Sequence, residues 1–417
     1  MSFADLGLCD VLSNTAKKLG YSAPSLVQRK AIPALLNNED LVVISETGSG
    51  KTAAFALPVL QLMASKPSIS SKHIRALVIT PTRELASQVA NSFERYGSDL
   101  NLNTFGVYGG VRIEPQITRL CGGVDVLVAT PGRLLDLYRQ QSICFEQLDI
   151  LVLDEADRML ELGFIDDILE LKGLLARKHQ TIMFSATFSD EINKLALSML
   201  SQPNIIKINN VNTSGNNIKQ VVHPVDKSSK SALLIYLLKT HRWPQVIIFV
   251  GTKHGTESLV LKLEKSGINA ASIHANRSQH ARVNVLDAFK SGKLSVLVAT
   301  DIASRGIDVN QLPCVINFDL PFAAEDYIHR IGRTGRAGAS GVAITLFNEE
   351  ESKQLLSIEK VIRQKLKREV VSGFVPSKRN TKLSQEETDD ELYGNFEADS
   401  NYPKSRKNKP SNRKRRR

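Results

Sequence analysis

Two stretches carry residue types that can handle a nucleotide phosphate. In the first, the apolar run Leu41-Val42-Val43-Ile44 leads into Ser45-Glu46-Thr47-Gly48-Ser49-Gly50-Lys51-Thr52 and then an apolar segment from Ala53 to Met63. Strand, glycine-rich loop, Lys-Thr, helix is the layout of a phosphate-binding loop, whose backbone N–H groups and helix N-terminus favour anions. Lys51 would reach the outer phosphates and Thr52 would offer its hydroxyl to Mg²⁺. The generic pattern wants a glycine where Ser45 stands, and a plain glycine-rich turn is the competing reading. In the second stretch, Ile150-Leu151-Val152-Leu153 ends abruptly in Asp154-Glu155-Ala156-Asp157. One carboxylate past a buried strand can hold Mg²⁺ and the next can take a proton from an attacking water. A solvated acidic turn would read the same.

Two further clusters lie in the second half. Thr300-Asp301-Ile302-Ala303-Ser304-Arg305-Gly306-Ile307-Asp308 follows an apolar run, and His329-Arg330-Ile331-Gly332-Arg333-Thr334-Gly335-Arg336 spaces its arginines three apart. That spacing on a helix or tight turn aims them at one spot, where guanidinium groups suit phosphoryl oxygens. A solvated basic turn is the alternative.

Such residues need a scaffold that presents them at one edge. Short apolar runs at 41–44, 76–80, 124–129, 150–153 and 181–184 predict strands buried on both faces, separated by helical segments, and hence a parallel sheet. Several end in polar clusters: Pro81-Thr82-Arg83-Glu84, Thr130-Pro131-Gly132-Arg133 and Ser185-Ala186-Thr187. These can line a groove at the carboxyl edge of a sheet, or serve merely as helix caps. The polar stretch 209–220 reads as a linker. Beyond it, runs at 246–250, 270–274, 296–300, 315–318 and 342–347 predict a second α/β series. The expected domains are 1–208, 221–372 and a tail from 373 to 417.

At 417 residues with 42% hydrophobic composition, the chain is long enough for two cores. It has no apolar run of membrane-spanning length, and MSFADLGLCD lacks the features of a signal peptide. Cys9, Cys121, Cys144 and Cys314 are scattered and read as free thiols of a reducing cytoplasm. Nine Lys and Arg fall between Lys404 and Arg417 with no acid among them, so this tail holds most of the +11 net charge. It reads as disordered and suggests a polyanionic partner.

The ordered set of motifs resembles the DEAD-box RNA helicases of helicase superfamily 2. From Phe3 to about Arg368 it comprises Gly20-x3-Pro24-x3-Gln28, SETGSGKT, PTRELA, Gly109-Gly110, TPGR, DEAD, SAT, Gln279-x-x-Arg282, ATDIASRGID and HRIGRTGR. MSFADLGL, ATFSDEINKLA and GTKHG are similar to the bacterial RhlE-type subgroup. Ser45, Ser25 and Ala275 stand where Ala, Thr and Gly are usual. Ala275 would matter if its turn required a positive φ.

The resemblance implies two RecA-like parallel-sheet domains in tandem and an ATP- and Mg²⁺-dependent RNA helicase. It implies that Phe3 stacks on adenine and Gln28 reads it, and that Thr47, Gly48, Ser49, Gly50, Lys51 and Thr52 cradle the phosphates. Thr52 and Asp154 would serve the metal, and Glu155 would be the general base. Asp157, Ser185, Thr187 and His329 would couple hydrolysis to RNA. Arg333 and Arg336 would be arginine fingers, and Asp308 would touch the ribose. Pro81, Thr82, Arg83, Gly110, Thr130, Arg133, Arg282 and Thr300 would contact RNA. It further implies a monomer without membrane attachment, acting with ribosome-assembly or RNA-decay proteins. Two other functions remain at this level: an ATP-gated RNA clamp with little unwinding, and a DNA helicase of the same superfamily. The intact Glu155, Arg333 and Arg336 argue against the first, and Gln28 against the second.

Overall fold

The strands form where sequences of β-branched and leucine residues can be buried on both sides. The computed structural model describes residues 1–377 except 47, 67–71, 176–177, 209–217, 305–308, 310–311 and 336–339. Thr47, Asp308, Arg336, most of the expected linker and nearly all of the expected tail therefore lie outside the described residues.

The first lobe holds β1 (Leu41–Ile44), β2 (Ala76–Ile79), β3 (Thr104–Val107), β4 (Val126–Ala129), β5 (Ile150–Leu153), β6 (Gln180–Ser185) and β7 (Asn204–Lys207). They make one parallel sheet in the order β3-β4-β2-β5-β6-β1-β7. The second lobe holds β8 (Ile218–Pro224), β9 (Val246–Phe249), β10 (Ala270–Ile273), β11 (Val296–Ala299), β12 (Cys314–Asn317), β13 (Gly341–Phe347) and β14 (Lys367–Arg368). Its parallel order is β10-β11-β9-β12-β13-β8-β14. Helices cover both faces of each sheet, giving the first lobe two core clusters, one per face. This is the tandem RecA-like architecture.

Every residue of β1, β2, β4, β5 and β6 is buried. Burying one such aliphatic side chain contributes roughly 1.5–3 kcal/mol, so the central strands hold the site-bearing loops firmly. Four strands were absent from the sequence expectation: β3, β7, β8 and β14. β8 starts inside the stretch 209–220 read as linker, so that linker ends before Ile218. β3 contains Gly106, whose missing side chain lets the helix Arg83–Tyr96 approach: a Cβ there would lie 3.2 Å from that of Ala90. Among the described residues no helix is long and apolar enough to cross a membrane.

Candidate ATP and RNA site

The parallel strands deliver their following loops to one edge, and the strand order sorts those loops by chemistry. The loops after β1, β5 and β6 carry the phosphate-loop, DEAD and SAT residues. Those after β2, β3 and β4 carry Pro81–Arg83, Gly110 and Thr130–Arg133. The two sets meet where β2 pairs with β5.

The phosphate loop is braced from below. Gly50 has φ +94 and precedes the helix Lys51–Ala64. A Cβ at this position would also stand 2.6 Å from Gln28 Nε2, so only glycine fits. Ser45, the departure from the usual pattern, turns its buried hydroxyl onto Ser49 Oγ at 3.0 Å, and Ser49 donates to Glu46 O at 2.9 Å. Lys51 Nζ donates to Ser45 O at 3.0 Å. Thr52 follows on the first turn of the helix.

Gln28 serves this loop as well as any base. Its Oε1 accepts from Ser25 N at 2.8 Å in a capping box, and its Nε2 donates to Gly50 O at 3.2 Å. One N–H and one lone pair of the amide remain for a ligand. Ser25 completes the box with its own hydroxyl, which accepts from Gln28 N at 3.5 Å. Phe3 corrects the expectation: it is 2% exposed, packed in the core edge-on to Tyr21 at 6.1 Å. A ring so enclosed presents no face for stacking. Tyr21 is the half-buried aromatic here, tied by its hydroxyl to Tyr96 at 2.8 Å. The sequence reading missed it, although it directly follows the helix stop Gly20.

Asp154 is 3% exposed, and its Oδ1 has no hydrogen-bond partner. Burial, with the nearby Glu155 charge, pushes its carboxyl up to about 7, against the pull of Lys51. A buried, unpartnered carboxylate oxygen beside a phosphate loop is suited to a divalent cation, so these residues fit Mg²⁺. Glu155 has φ +55, the left-handed region, at the N-cap of the helix Ala156–Glu161. A non-glycine residue held there costs about 1–3 kcal/mol. Asp157 Oδ2 accepts from Ala186 N and Thr187 N, both at 3.0 Å, and from Thr187 Oγ1 at 3.3 Å. Ser185 Oγ donates to Thr187 O at 2.7 Å. The DEAD and SAT residues are one hydrogen-bonded unit.

At the other half of the edge, Thr82 caps the helix Arg83–Tyr96 by accepting from Leu85 N at 3.3 Å. Thr130 occupies the cap position of Pro131–Arg139 but makes no cap bond with its side chain. The turn at Gly110 (φ +77) is clasped by two arginines. A Cβ on Gly110 would collide with the Arg83 guanidinium, and Arg133 Nη2 donates to Val111 O at 3.0 Å. Arg133 Nε lies 3.8 Å from Asp136 Oδ2, while Nη1 is buried without a hydrogen-bond partner, which suits an incoming phosphate. Pro81 and Thr300 sit at the ends of β2 and β11.

The second lobe closes over this edge. Arg158 Nη1 donates to Asp326 Oδ1 at 2.9 Å from the helix Ala324–Ile331. Arg282, expected to contact RNA, is instead 3% exposed and paired with Glu84 of the first lobe at 2.9 Å. A desolvated guanidinium needs such a carboxylate, and burial still lowers its proton affinity. Glu84 was read only as part of the polar cluster after β2, and Arg158 and Asp326 were not singled out from sequence, because each partner stands more than 160 residues away. Arg330 also departs from the expected convergence of arginines. It binds both oxygens of Asp301 at 2.6 and 2.7 Å and Asn317 Oδ1 at 3.0 Å, so it anchors the turn after Thr300. Arg333 lies near His329, whose imidazole is held down to about 4 by burial and Arg158, against Asp157 and Asp326. Ala275 has no positive φ, so its turn does not need glycine.

This split site has counterparts. Residues 25–195 match the DEAD/DEAH box helicase model, and 229–338 match the helicase conserved C-terminal domain. The chain belongs to the DEAD-box ATP-dependent RNA helicases. It is 36% identical over 370 residues to the ATP-dependent RNA helicase RhlB of Pseudomonas syringae, spanning 87% of this chain and 93% of that one. It is 40% identical over 366 residues to the RNA helicase CrhR of Synechocystis, spanning 88% and 73%. Among solved structures it is similar to S. cerevisiae Dbp5 bound to RNA and ADP BeF3, with 31% identity, a TM-score of 0.77 and coverage of 88% and 95%. The DEAD-box assignment makes the chain an RNA-stimulated ATPase.

Proposed function

We propose that this helicase unwinds short RNA duplexes locally, by closing its two lobes on ATP and single-stranded RNA and reopening after hydrolysis. The observation that carries this is the pair of buried interlobe ion pairs. Arg158–Asp326 abuts the DEAD turn, and Glu84–Arg282 abuts the RNA half of the same edge. Ligands that favour closure at either half favour these pairs, so ATP and RNA binding reinforce one another.

In this reading the loop Thr47–Gly50 with Lys51 holds the phosphates, and Gln28 offers its remaining amide groups to adenine. Thr52 and Asp154 hold Mg²⁺, which when bound neutralises phosphate charge. Glu155 accepts the proton of the attacking water, and its left-handed turn fixes the direction of that carboxylate. Arg333 and Arg336 supply positive charge from the second lobe as negative charge develops, and Asp308 holds the ribose. Asp157, Thr187 and Ser185 pass the state of the nucleotide toward His329. Pro81, Thr82, Arg83, Gly110, Thr130, Arg133 and Thr300 grip the backbone of one strand, with Arg282 locking the lobes around it. A strand bent in that grip no longer fits a duplex, so base pairs are lost locally. The same proposal takes the chain to be a cytoplasmic monomer of the RhlE type working in ribosome assembly or RNA decay.

The test is multiple-turnover displacement of a short RNA strand, compared with a DNA duplex of the same sequence. ATP-dependent displacement restricted to RNA is expected. ATP-dependent RNA retention without displacement would make the chain a clamp.

A further inference from the structure

The opposite edge of the first-lobe sheet carries a donor cluster that ATP and RNA do not use. His73 lies just ahead of β2 and Cys144 ahead of β5, and an isolated parallel bridge pairs the two. The Cys144 N–H donates to Lys72 O at 2.9 Å, and Cys144 Sγ lies 3.6 Å from the same oxygen. Lys72 has φ +76, an uncommon conformation for a lysine. Glu146 reaches back so that its carboxylate stands 4.0 Å from His73 Nε2. One imidazole nitrogen, one thiol sulfur and one carboxylate oxygen thus lie within 4.8 Å of one another.

We propose that His73, Cys144 and Glu146 bind a zinc-class divalent ion, with water in the fourth position. Sulfur, nitrogen and oxygen together suit zinc and not Mg²⁺, which takes oxygen ligands in octahedral geometry. Zinc bonds of about 2.0–2.3 Å in a tetrahedron put ligand atoms about 3.3–3.8 Å apart. The cluster is therefore about 1 Å too open, and the exposed Glu146 side chain, which already meets the Cys144 thiol, can shift to make up that difference. Cys144 is a free thiol, so it carries its proton before the ion binds. Binding forms the metal–sulfur bond and releases that proton to solvent, and the dication then removes the repulsion between sulfur and carboxylate.

The bound ion would pin the turn at His73 to the segment 144–146. Those two segments feed β2 and β5, whose far ends carry PTRELA and DEAD. The proposal stands independently of the helicase activity, because its readout is chemical.

The test uses full-length protein and follows alkylation of each cysteine by peptide mapping, with zinc, with Mg²⁺ and with chelator. Zinc at slight excess is expected to slow modification of Cys144 by about tenfold or more, leave the exposed Cys9 and Cys121 unchanged, and be mimicked by Co²⁺ but not Mg²⁺. Co²⁺ should give a thiolate charge-transfer absorbance that Cys144→Ser abolishes. His73→Ala and Glu146→Gln should each weaken the protection by at least about tenfold in zinc concentration. Glu146 is exposed, so the glutamine variant leaves the fold intact. Equal labelling of Cys144 with and without zinc overturns the proposal, as does protection that survives Glu146→Gln undiminished.

Discussion

Arg158 Nη1 stands 2.9 Å from Asp326 Oδ1, and both side chains are buried. The contact joins the helix that opens at the Asp154–Glu155 turn to the helix that carries His329. Removing one partner of a buried pair costs about 3–5 kcal/mol. Glu161 remains beside Arg158, so the loss should fall toward the lower part of that range. Asp326→Asn should therefore weaken RNA binding in a non-hydrolysable ATP analogue by about tenfold or more. Thermal unfolding of the ligand-free protein should hardly move. Unchanged RNA affinity would show that closure does not depend on this pair.

The same contact sets a pH response. His329 is held down to about 4 in the closed arrangement, by burial first and then by Arg158. When the lobes part, the imidazole regains a value near 6.5. The open form then binds more protons between those values, so closure is full above about pH 6.5 and weakens as pH falls toward 4. RNA affinity with ATP analogue should drop between pH 7 and 5. The drop should flatten in His329→Gln, and a profile identical to the parent's would assign the titration to another group.

Glu155→Gln keeps the size of the side chain and the turn but cannot take a proton. Turnover should fall by about 10²-fold or more while ATP and RNA still bind. RNA should dissociate more slowly in ATP than from the parent. Ordinary turnover with ordinary release would remove Glu155 from the general-base role.

Gly110→Ala would place a Cβ against the Arg83 guanidinium at a residue with φ +77. Arg83 must swing away, and the turn is strained as well. RNA affinity should fall several-fold with ATP affinity unchanged. A parallel loss of ATP affinity would mean that the two halves of the sheet edge are not separable.

Deleting Lys404 to Arg417 removes nine cations from the chain's end. RNA binding should weaken, and its salt dependence should become shallower by about 0.7 for each phosphate that is no longer neutralised. The RNA-saturated ATPase rate should stay the same. Equal affinity and equal slope would leave the tail without a role in RNA anchoring.

The central strands and the loops that follow them were legible in the sequence. A strand buried on both faces must be apolar throughout, and the polar residue that ends it marks the carboxyl edge. The runs before Ser45 and Asp154 needed nothing more. β3, β7 and β14 lie at sheet edges and β8 beside one, where one side is partly exposed and the signature fades: only Ile206 of β7 is buried.

Among site residues, the sequence determined which chemical groups are present and in what order. Tertiary structure decided which of them meet. Arg330 has the same motif spacing as Arg333, yet only the fold turns it inward onto Asp301. Phe3 sits at a position that resemblance assigns to adenine, yet packing enclosed it. Glu84 reads as one member of the polar cluster after β2 until Arg282 arrives from 198 positions away. A local run of residues fixes its own backbone and burial, but a buried charge can be offset only by whatever partner the folded chain brings within about 3–4 Å.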